Sequence, residues 1–429
     1  MPDCATYAEV KDSGARWLGA IPKSWKTRSL KYLFTIKKTI AGKLGHTVLS
    51  VTQSGIKPKK MSEKGQFSLD YSKYQIVQVG DYVMNHMDLL TGWVDVSNYD
   101  GVTSPDYRVF VNSNPSRFIS DYYNYIFQSC YSNKIFYGLG KGVSGFGRWR
   151  LPADMFLNFT LPVPPLEEQK AIADFLNDQC PQIDAIIAAS KASIEDYKLL
   201  KQSVITRAVT KGLDLNAEMK DSGVDWIGGI PKKWQLSKIK YVADFNPKLE
   251  VVFDPSLPIG YTPMECIKNG YMIPKRTAYA TLSTGLTSFQ SGDIVMAKVT
   301  PCFENGNIAI ADGLAQDVAF GSSELFSFRN QAILNEFLFF YLQSEGFKSK
   351  CIATMTGTGG LKRVSGYFVK NANILVPPVE TQKEIATYIT TQCEAIEALV
   401  SEKQSLISDL VAYKRSLIYE AVTGKRKVV

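Results

Sequence analysis

Histidine is almost missing from this chain: only His46 and His86 occur in 429 residues. Imidazole acid–base chemistry and histidine-held metals therefore have few routes, and both residues read more simply as structural. The seven cysteines (Cys4, Cys130, Cys180, Cys266, Cys302, Cys351 and Cys393) form no CxxC pair and no zinc-holding spacing, so they read as reduced and mostly buried thiols. There is no GxxxxGK[ST] phosphate loop, because Gly42-Lys43, Gly140-Lys141 and Gly424-Lys425 are followed by Leu44, Gly142 and Arg426. The Asn/Asp-Pro-Pro-aromatic signature of adenine methylation is missing too: Asn246-Pro247 continues into Lys248 and Asp254-Pro255 into Ser256. No acidic cluster stands out as a nuclease metal site. No run approaches the roughly 18 apolar residues of a membrane span, and Met1 to Val10 lacks the basic-then-apolar plan of a signal peptide. These absences point to a soluble cytoplasmic chain and argue against catalysis and against a bound metal or cofactor, although carboxylates separated in sequence could still converge in space.

The length, with 45% hydrophobic and 12% aromatic residues, is enough for two or three globular units with real cores. The formal charge of +8 permits a polyanionic partner without requiring one. More decisive is an internal repeat. Lys11 to Trp25 reads KDSGARWLGAIPKSW and Lys220 to Trp234 reads KDSGVDWIGGIPKKW, ten of fifteen positions identical at an offset of 209. A second repeat, at an offset of 213, aligns Val163-Pro164-Pro165, Glu167, Gln169, Lys170 and Ile172 with Val376-Pro377-Pro378, Glu380, Gln382, Lys383 and Ile385, and runs on to Ala208-Val209-Thr210 and Ala421-Val422-Thr423. The chain thus divides into an opening motif (1–25), a variable block (26–162), a long helix (163–212), a linker with the repeated opening motif (213–234), a second block (235–375), a second long helix (376–424) and a basic tail (425–429).

The closing segments carry one apolar stripe each. Ile172, Leu176, Ile183, Ile187, Ile194, Tyr197, Val204 and Ala208 recur at helical spacing, and Ile385, Ile389, Ile396, Val400, Ile407, Leu410, Leu417 and Ala421 answer them. Proline pairs and Glu167, Glu168 and Glu380 mark the starts; Gly212 and Gly424 mark the stops. From Leu166 to Lys211 such a helix measures about 65–70 Å, close to two turns of B-DNA. Both stripes read as packing seams, and two such helices most simply pair antiparallel as a coiled-coil spacer.

Positive charge sits in the blocks. Residues 26–160 hold 17 Lys and Arg against 9 Asp and Glu, and residues 235–373 hold 13 against 11, so the remainder is slightly acidic. A block that binds duplex DNA gains affinity by neutralising phosphates, which is the sign found here, though slight in the second block. Each block mixes short strand-like runs (Val48 to Val51, Gly80 to Met84, Tyr107 to Val111; Gly292 to Met296, Leu325 to Phe328) with a helical pattern (Asp121 to Tyr131; Asn335 to Ser344), predicting an α/β (α+β) domain with a modest sheet. Before each long helix lies a glycine-rich basic stretch, Gly138 to Arg150 and Thr356 to Arg363. Glycines let backbone amides near phosphates, and Lys141, Arg148, Arg150, Lys362 and Arg363 are candidate contacts to phosphate or guanine. Pairing of those arginines with nearby acids is the plainer alternative. Lys57, Lys59 and Lys60, and Lys275 and Arg276, are weaker candidates of the same kind. Trp17, Trp25, Trp226 and Trp234 anchor the opening motifs or meet a partner.

The motif KDSGxxWxGxIPxxW, the run LPVPPLEEQKAIADFL with its counterpart VPPVETQKEI, and the two-copy layout resemble the specificity subunits of type I restriction-modification systems over essentially the whole chain. Thr47 to Thr52 with Gly101 to Tyr107, and Tyr261 to Glu265, resemble two flavours of that family's target recognition domains. The resemblance implies a pseudo-twofold molecule in which each block reads one half of an asymmetric double-stranded DNA site and the helices set the gap. It implies docking of two modification subunits, which carry S-adenosylmethionine and methylate an adenine in each half-site, and of restriction subunits that use ATP and Mg. A single-chain methyltransferase and a coiled-coil adaptor that binds only proteins are the competing readings.

Overall fold

Residues 6–59, 70–142, 149–358 and 360–428 are described by the structure, a computed structural model. The chain divides into two units: residues 1–190 with 404–429, and residues 191–403.

In the first unit the opening motif folds as a hairpin, Val10–Asp12 against Ala20–Pro22. Its turn is set locally, because the Asp12 carboxylate accepts the Gly14 N–H at 3.1 Å. The chain then enters Lys26–Ser29, which pairs with Thr160–Val163, so the two ends of the block are stitched together where the long helix begins. Inside lies an antiparallel sheet in the order Phe34–Lys37, Arg108–Asn112, Tyr82–Met84, Val94–Val96. Side chains alternate across it with the period of two that a strand dictates. Tyr82 and Met84 face the helix Ser120–Ser132, in a core with Phe34, Phe110 and Phe127. Val83 and Val109 face the other way, onto Leu49, Ile56 and Val77. That second layer is made of Leu49–Thr52 against Gly55–Pro58 and Gly101–Thr103 against Gln75–Val77, linked by a parallel bridge from Val48 to Val102.

The second unit follows the same plan. Met219–Asp221 pairs with Gly229–Pro231, and Gln235–Lys238 with Asn373–Val376. The helix-facing sheet runs Ala243–Phe245, Leu325–Asn330, Ile294–Ala297, Ile308–Ile310, the same order as in the first unit. Ile294 and Met296 point to the helix-side core, Val295 and Ala297 to the far layer. The far layer is a continuous four-stranded sheet, Lys275–Ala278, Pro258–Thr262, Val318–Gly321, Thr287–Gln290, whose central pair is parallel like the Val48–Val102 bridge. The blocks therefore carry two layers of sheet where the sequence predicts one modest sheet. The far-layer strands are short and partly polar, which hides them from periodicity.

The long helices span Leu166–Lys211 and Val379–Val422. In the first unit Ile172, Leu176, Ile183 and Ile187 share a core with Leu417, Ala421 and Val422, and Lys414 is ion-paired with Asp184 at 2.7 Å. In the second, Ile205, Ala208 and Val209 share a core with Ile385, Ala386 and Ile389, and Lys201 is paired with Glu397 at 2.6 Å. In each unit the early part of one helix lies beside the late part of the other, the antiparallel arrangement. Ile194 and Ile396 are buried as well, while Tyr197, Val204, Val400, Ile407 and Leu410 are half-buried. Ile205 takes the fully buried place next to Val204, the drift expected when a straight helix of 3.6 residues per turn meets a seven-residue pattern. Both helices stop on a glycine with positive φ, Gly212 at +77° and Gly424 at +72°, packed on the indoles of Trp234 and Trp25. A Cβ on either glycine would lie 3.2 or 3.1 Å from the indole, so conformation and space both require glycine there. Among the described residues no helix is long and apolar enough to cross a membrane.

Candidate nucleic-acid interface

In each glycine-rich stretch an arginine closes a bridge across the described ends. Lys141 and Arg150 exchange backbone hydrogen bonds at 2.8 and 3.1 Å, and Thr356 and Arg363 do so at 3.1 and 2.8 Å. Each bridge is tied to the loop that follows the central sheet strand. The Leu151 N–H donates to the His86 carbonyl at 3.0 Å, and at the matching place the Val364 N–H donates to the Lys298 carbonyl at 2.8 Å. The first stretch has a further clamp, because the Arg108 guanidinium donates to the Leu151 carbonyl at 3.0 Å and stacks on Phe156 at 4.6 Å. In the second, the Thr300 hydroxyl donates to the Gly360 carbonyl at 2.7 Å and accepts the Lys362 N–H at 2.9 Å. Lys141, Arg150, Lys362 and Arg363 are all exposed on these clamped stretches.

Electrostatics differ between the two stretches. Arg108 is buried, and burial lowers its pKa to about 10. Burial, reinforced by the charges of Arg108 and Arg150, lowers the His86 pKa to about 4 and keeps the ring neutral. Arg363 instead grips Glu324 with Nε and Nη2 at 2.8–3.0 Å; that pairing raises its pKa and lowers that of the carboxyl. Half of the Arg363 side chain remains exposed. A carboxylate holding one edge of a guanidinium fixes the orientation of the rest.

The other basic runs fall on equivalent strands of the far layers. Lys57 lies in Gly55–Pro58 with Lys59 just after it, and Lys275 and Arg276 lie in Lys275–Ala278; each strand pairs antiparallel with the first strand of its layer. The four side chains project from exposed or half-buried positions. Lys57 donates to the Ser54 hydroxyl at 3.1 Å, and Lys275 pairs with Glu265 at 3.0 Å, which raises the lysine pKa. Nothing in the sequence shows that these runs correspond; the shared strand order does. Lys60 and Arg148 lie outside the described residues.

His86, Arg108, Lys298 and Thr300, which hold the bridged stretches in place, escape a search for exposed basic runs. One signal was available: His86 and Lys298 both stand two residues after the matched strand ends Met84 and Met296. Trp17 donates to the Thr160 carbonyl at 3.0 Å and Trp25 to Glu168 at 2.8 Å, so in the first unit both indoles anchor the opening motif.

The chain thus carries one frame twice, each copy with a bridged basic stretch and a basic edge strand. The type I restriction modification DNA specificity domain matches residues 22–196 and again 231–406, most of the chain, and the protein belongs to that family. It is 33% identical over 184 residues to the type I restriction enzyme EcoAI specificity subunit of Escherichia coli, a stretch covering 42% of this chain and 31% of that one. The chain thus spans about a third of that relative's length. It is 27% identical over 296 residues to the MjaVIII specificity subunit of Methanocaldococcus jannaschii, covering 66% of each. Its fold is similar to a chain in a solved structure concerned with complex assembly and conformational transition of the type I R-M system, with a TM-score of 0.69 and 14% identity over 94% of this chain and 98% of that one.

Proposed function

We propose that each head reads one half of an asymmetric, bipartite double-stranded DNA site, using the bridged basic stretch (Lys141 and Arg150; Lys362 and Arg363) and the basic edge strand (Lys57 and Lys59; Lys275 and Arg276). The observation that carries this reading is that one eight-stranded plan, repeated, presents cations at equivalent places while the residues around them differ. A common frame with unlike surfaces suits two unlike half-sites. The long helices set the unread gap between the halves.

The helices and opening motifs also dock two modification subunits, which bring S-adenosylmethionine and methylate an adenine in each half-site; restriction subunits with ATP and Mg join for cleavage. The chain itself is a non-catalytic reader. Apolar side chains left exposed on the helices support docking: Ile186, Leu406, Val411 and Tyr413 in the first unit, Leu199, Leu200 and Leu399 in the second.

Mapping methylated adenines across the genome with and without this gene tests the reading. Deletion is expected to erase one bipartite motif, and exchanging residues 26–160 for another such block is expected to change one half of it. Unchanged methylation on deletion overturns the proposal, and methylation of DNA by the purified chain with S-adenosylmethionine and no partner subunit replaces it with a single-chain methyltransferase.

A further inference from the structure

The two opening hairpins share one register at an offset of 209: Val10 pairs with Pro22 as Met219 does with Pro231. Tyr7 and Asn216, each three residues earlier, therefore hold corresponding places. In the first unit the Tyr7 ring stands edge-on to Trp25, centroids 5.9 Å apart, and its hydroxyl donates to Glu168 at 2.7 Å. The Trp25 indole donates to the same carboxylate oxygen at 2.8 Å. Ring and carboxylate together fill the corner between the opening hairpin and the first turn of the long helix.

The second unit has the corner without its filling. Asn216 replaces Tyr7 and Thr381 replaces Glu168 at the 213 offset. What remains is a cavity of about 450 Å³ whose lining includes Trp234, Asn216, Thr381, Pro378 and Glu384. Leu213 in its wall is exposed, as are Leu215 and Met219 along the same segment. Three exposed large apolar side chains within seven residues mark a surface that something covers.

We propose that this cavity receives an aromatic side chain of tyrosine type from a modification subunit, its ring lying where the Tyr7 ring lies in the first unit while Asn216 keeps the backbone place of Tyr7. The inference rests on the docking reading above. Its chemistry is complementary: the ring meets Trp234, and the hydroxyl meets the carboxylate of Glu384 one helical turn beyond Thr381. The two docking faces are then unequal, and the second holds a pocket that selects its partner.

The probe is a synthetic peptide with the sequence of residues 6–12, TYAEVKD, added to the full-length chain while the Trp234 indole N–H resonance, assigned with Trp234→Phe, is followed. A saturable shift is expected, absent with the peptide whose tyrosine is alanine. The double variant Asn216→Tyr/Thr381→Glu supplies its own filling. It is expected to melt higher than the parent, to lose the peptide-induced shift, and to bind purified modification subunit on the order of tenfold more weakly at one of two sites. If the peptide leaves the Trp234 resonance unmoved, or the double variant binds the subunit at both sites as the parent does, the pocket proposal is wrong. If neither parent nor variant binds the subunit, the docking reading itself fails and takes this partner with it, whatever the peptide does.

Discussion

Gln169 and Gln382 do the same work in the two units. Each is buried on the first turn of a long helix. Each side-chain oxygen accepts the N–H of the residue that precedes the head helix, Ile119 at 3.0 Å and Leu334 at 2.7 Å. Each amide N–H donates back to a proline carbonyl at the helix start, Pro164 at 2.9 Å and Pro377 at 2.8 Å. A single side chain thus joins head to spacer through two backbone groups that have left water. Gln169→Leu keeps the volume and removes both partners, and an unsatisfied buried amide or carbonyl costs about 1–3 kcal/mol. The expected loss is about 2–4 kcal/mol, read by urea unfolding, with an equal effect for Gln382→Leu. Gln169→Glu is expected to be no rescue, because a carboxylate cannot donate to Pro164.

Acid should weaken the first unit through His86. In the folded protein its pKa lies near 4, against an ordinary value of 6.5. Folded, the ring is neutral; unfolded, it takes a proton below about pH 6.5. The unfolded state therefore binds more protons as pH falls. Stability is fully present above pH 6.5 and declines between 6.5 and 4, by roughly 2 kcal/mol once partial exposure is allowed for. Arg108 and Arg150 are the charges that face it, and both oppose protonation. Melting temperature against pH is expected to slope in that window for the parent and to be flatter for His86→Asn; equal slopes would falsify this assignment.

At the two bridges, Arg150→Ala and Arg363→Ala are each expected to weaken DNA binding by the assembled complex. If the guanidinium meets phosphate, the loss is uniform over sequence and the salt slope falls by about 1. If it meets guanine, the loss is about 1–3 kcal/mol and one position of the motif relaxes. Glu324→Gln separates orientation from charge, since it frees Arg363 without removing it. Should the carboxylate serve to aim the guanidinium, affinity falls although a negative charge near DNA has been deleted; a gain in affinity would mean that Glu324 merely competes with the phosphate.

The frame was legible in the sequence because its determinants are local. The opening motif repeats at ten of fifteen positions, and the apolar stripes from Ile172 and Ile385 have the period of a helix, so the two copies and their rods are legible in the sequence, while the hairpin form of the opening motif is not. The heads were legible only in part. Strands such as Tyr82–Met84 and Ile294–Ala297 announce themselves by the shared Gly-Asp turn. Gly55–Pro58 and Lys275–Ala278 share a place in the fold but no residue pattern, since an exposed edge strand is constrained by backbone pairing and little by side chains. The basic runs on them could be found, yet not matched. Arg108 and Thr300 were missed for a different reason: they act from beneath the bridged stretches, where neither exposure nor local charge points to them.

Glu168 and Thr381 make the sharpest test of the asymmetry between the units. The Glu168 carboxylate receives two hydrogen bonds, from Tyr7 and Trp25, in a half-buried corner. Glu168→Ala strands both donors, one of them on the buried Trp25, and is expected to cost about 1–3 kcal/mol by denaturant unfolding. Thr381 stands at the matching turn of the second helix beside an open cavity, and Thr381→Ala is expected to stay within about 0.5 kcal/mol of the parent. Equal costs would mean that the two corners are built alike in solution. A large cost at Glu168 alone means that one copy of the repeat completes itself from its own chain while the other is left to be completed.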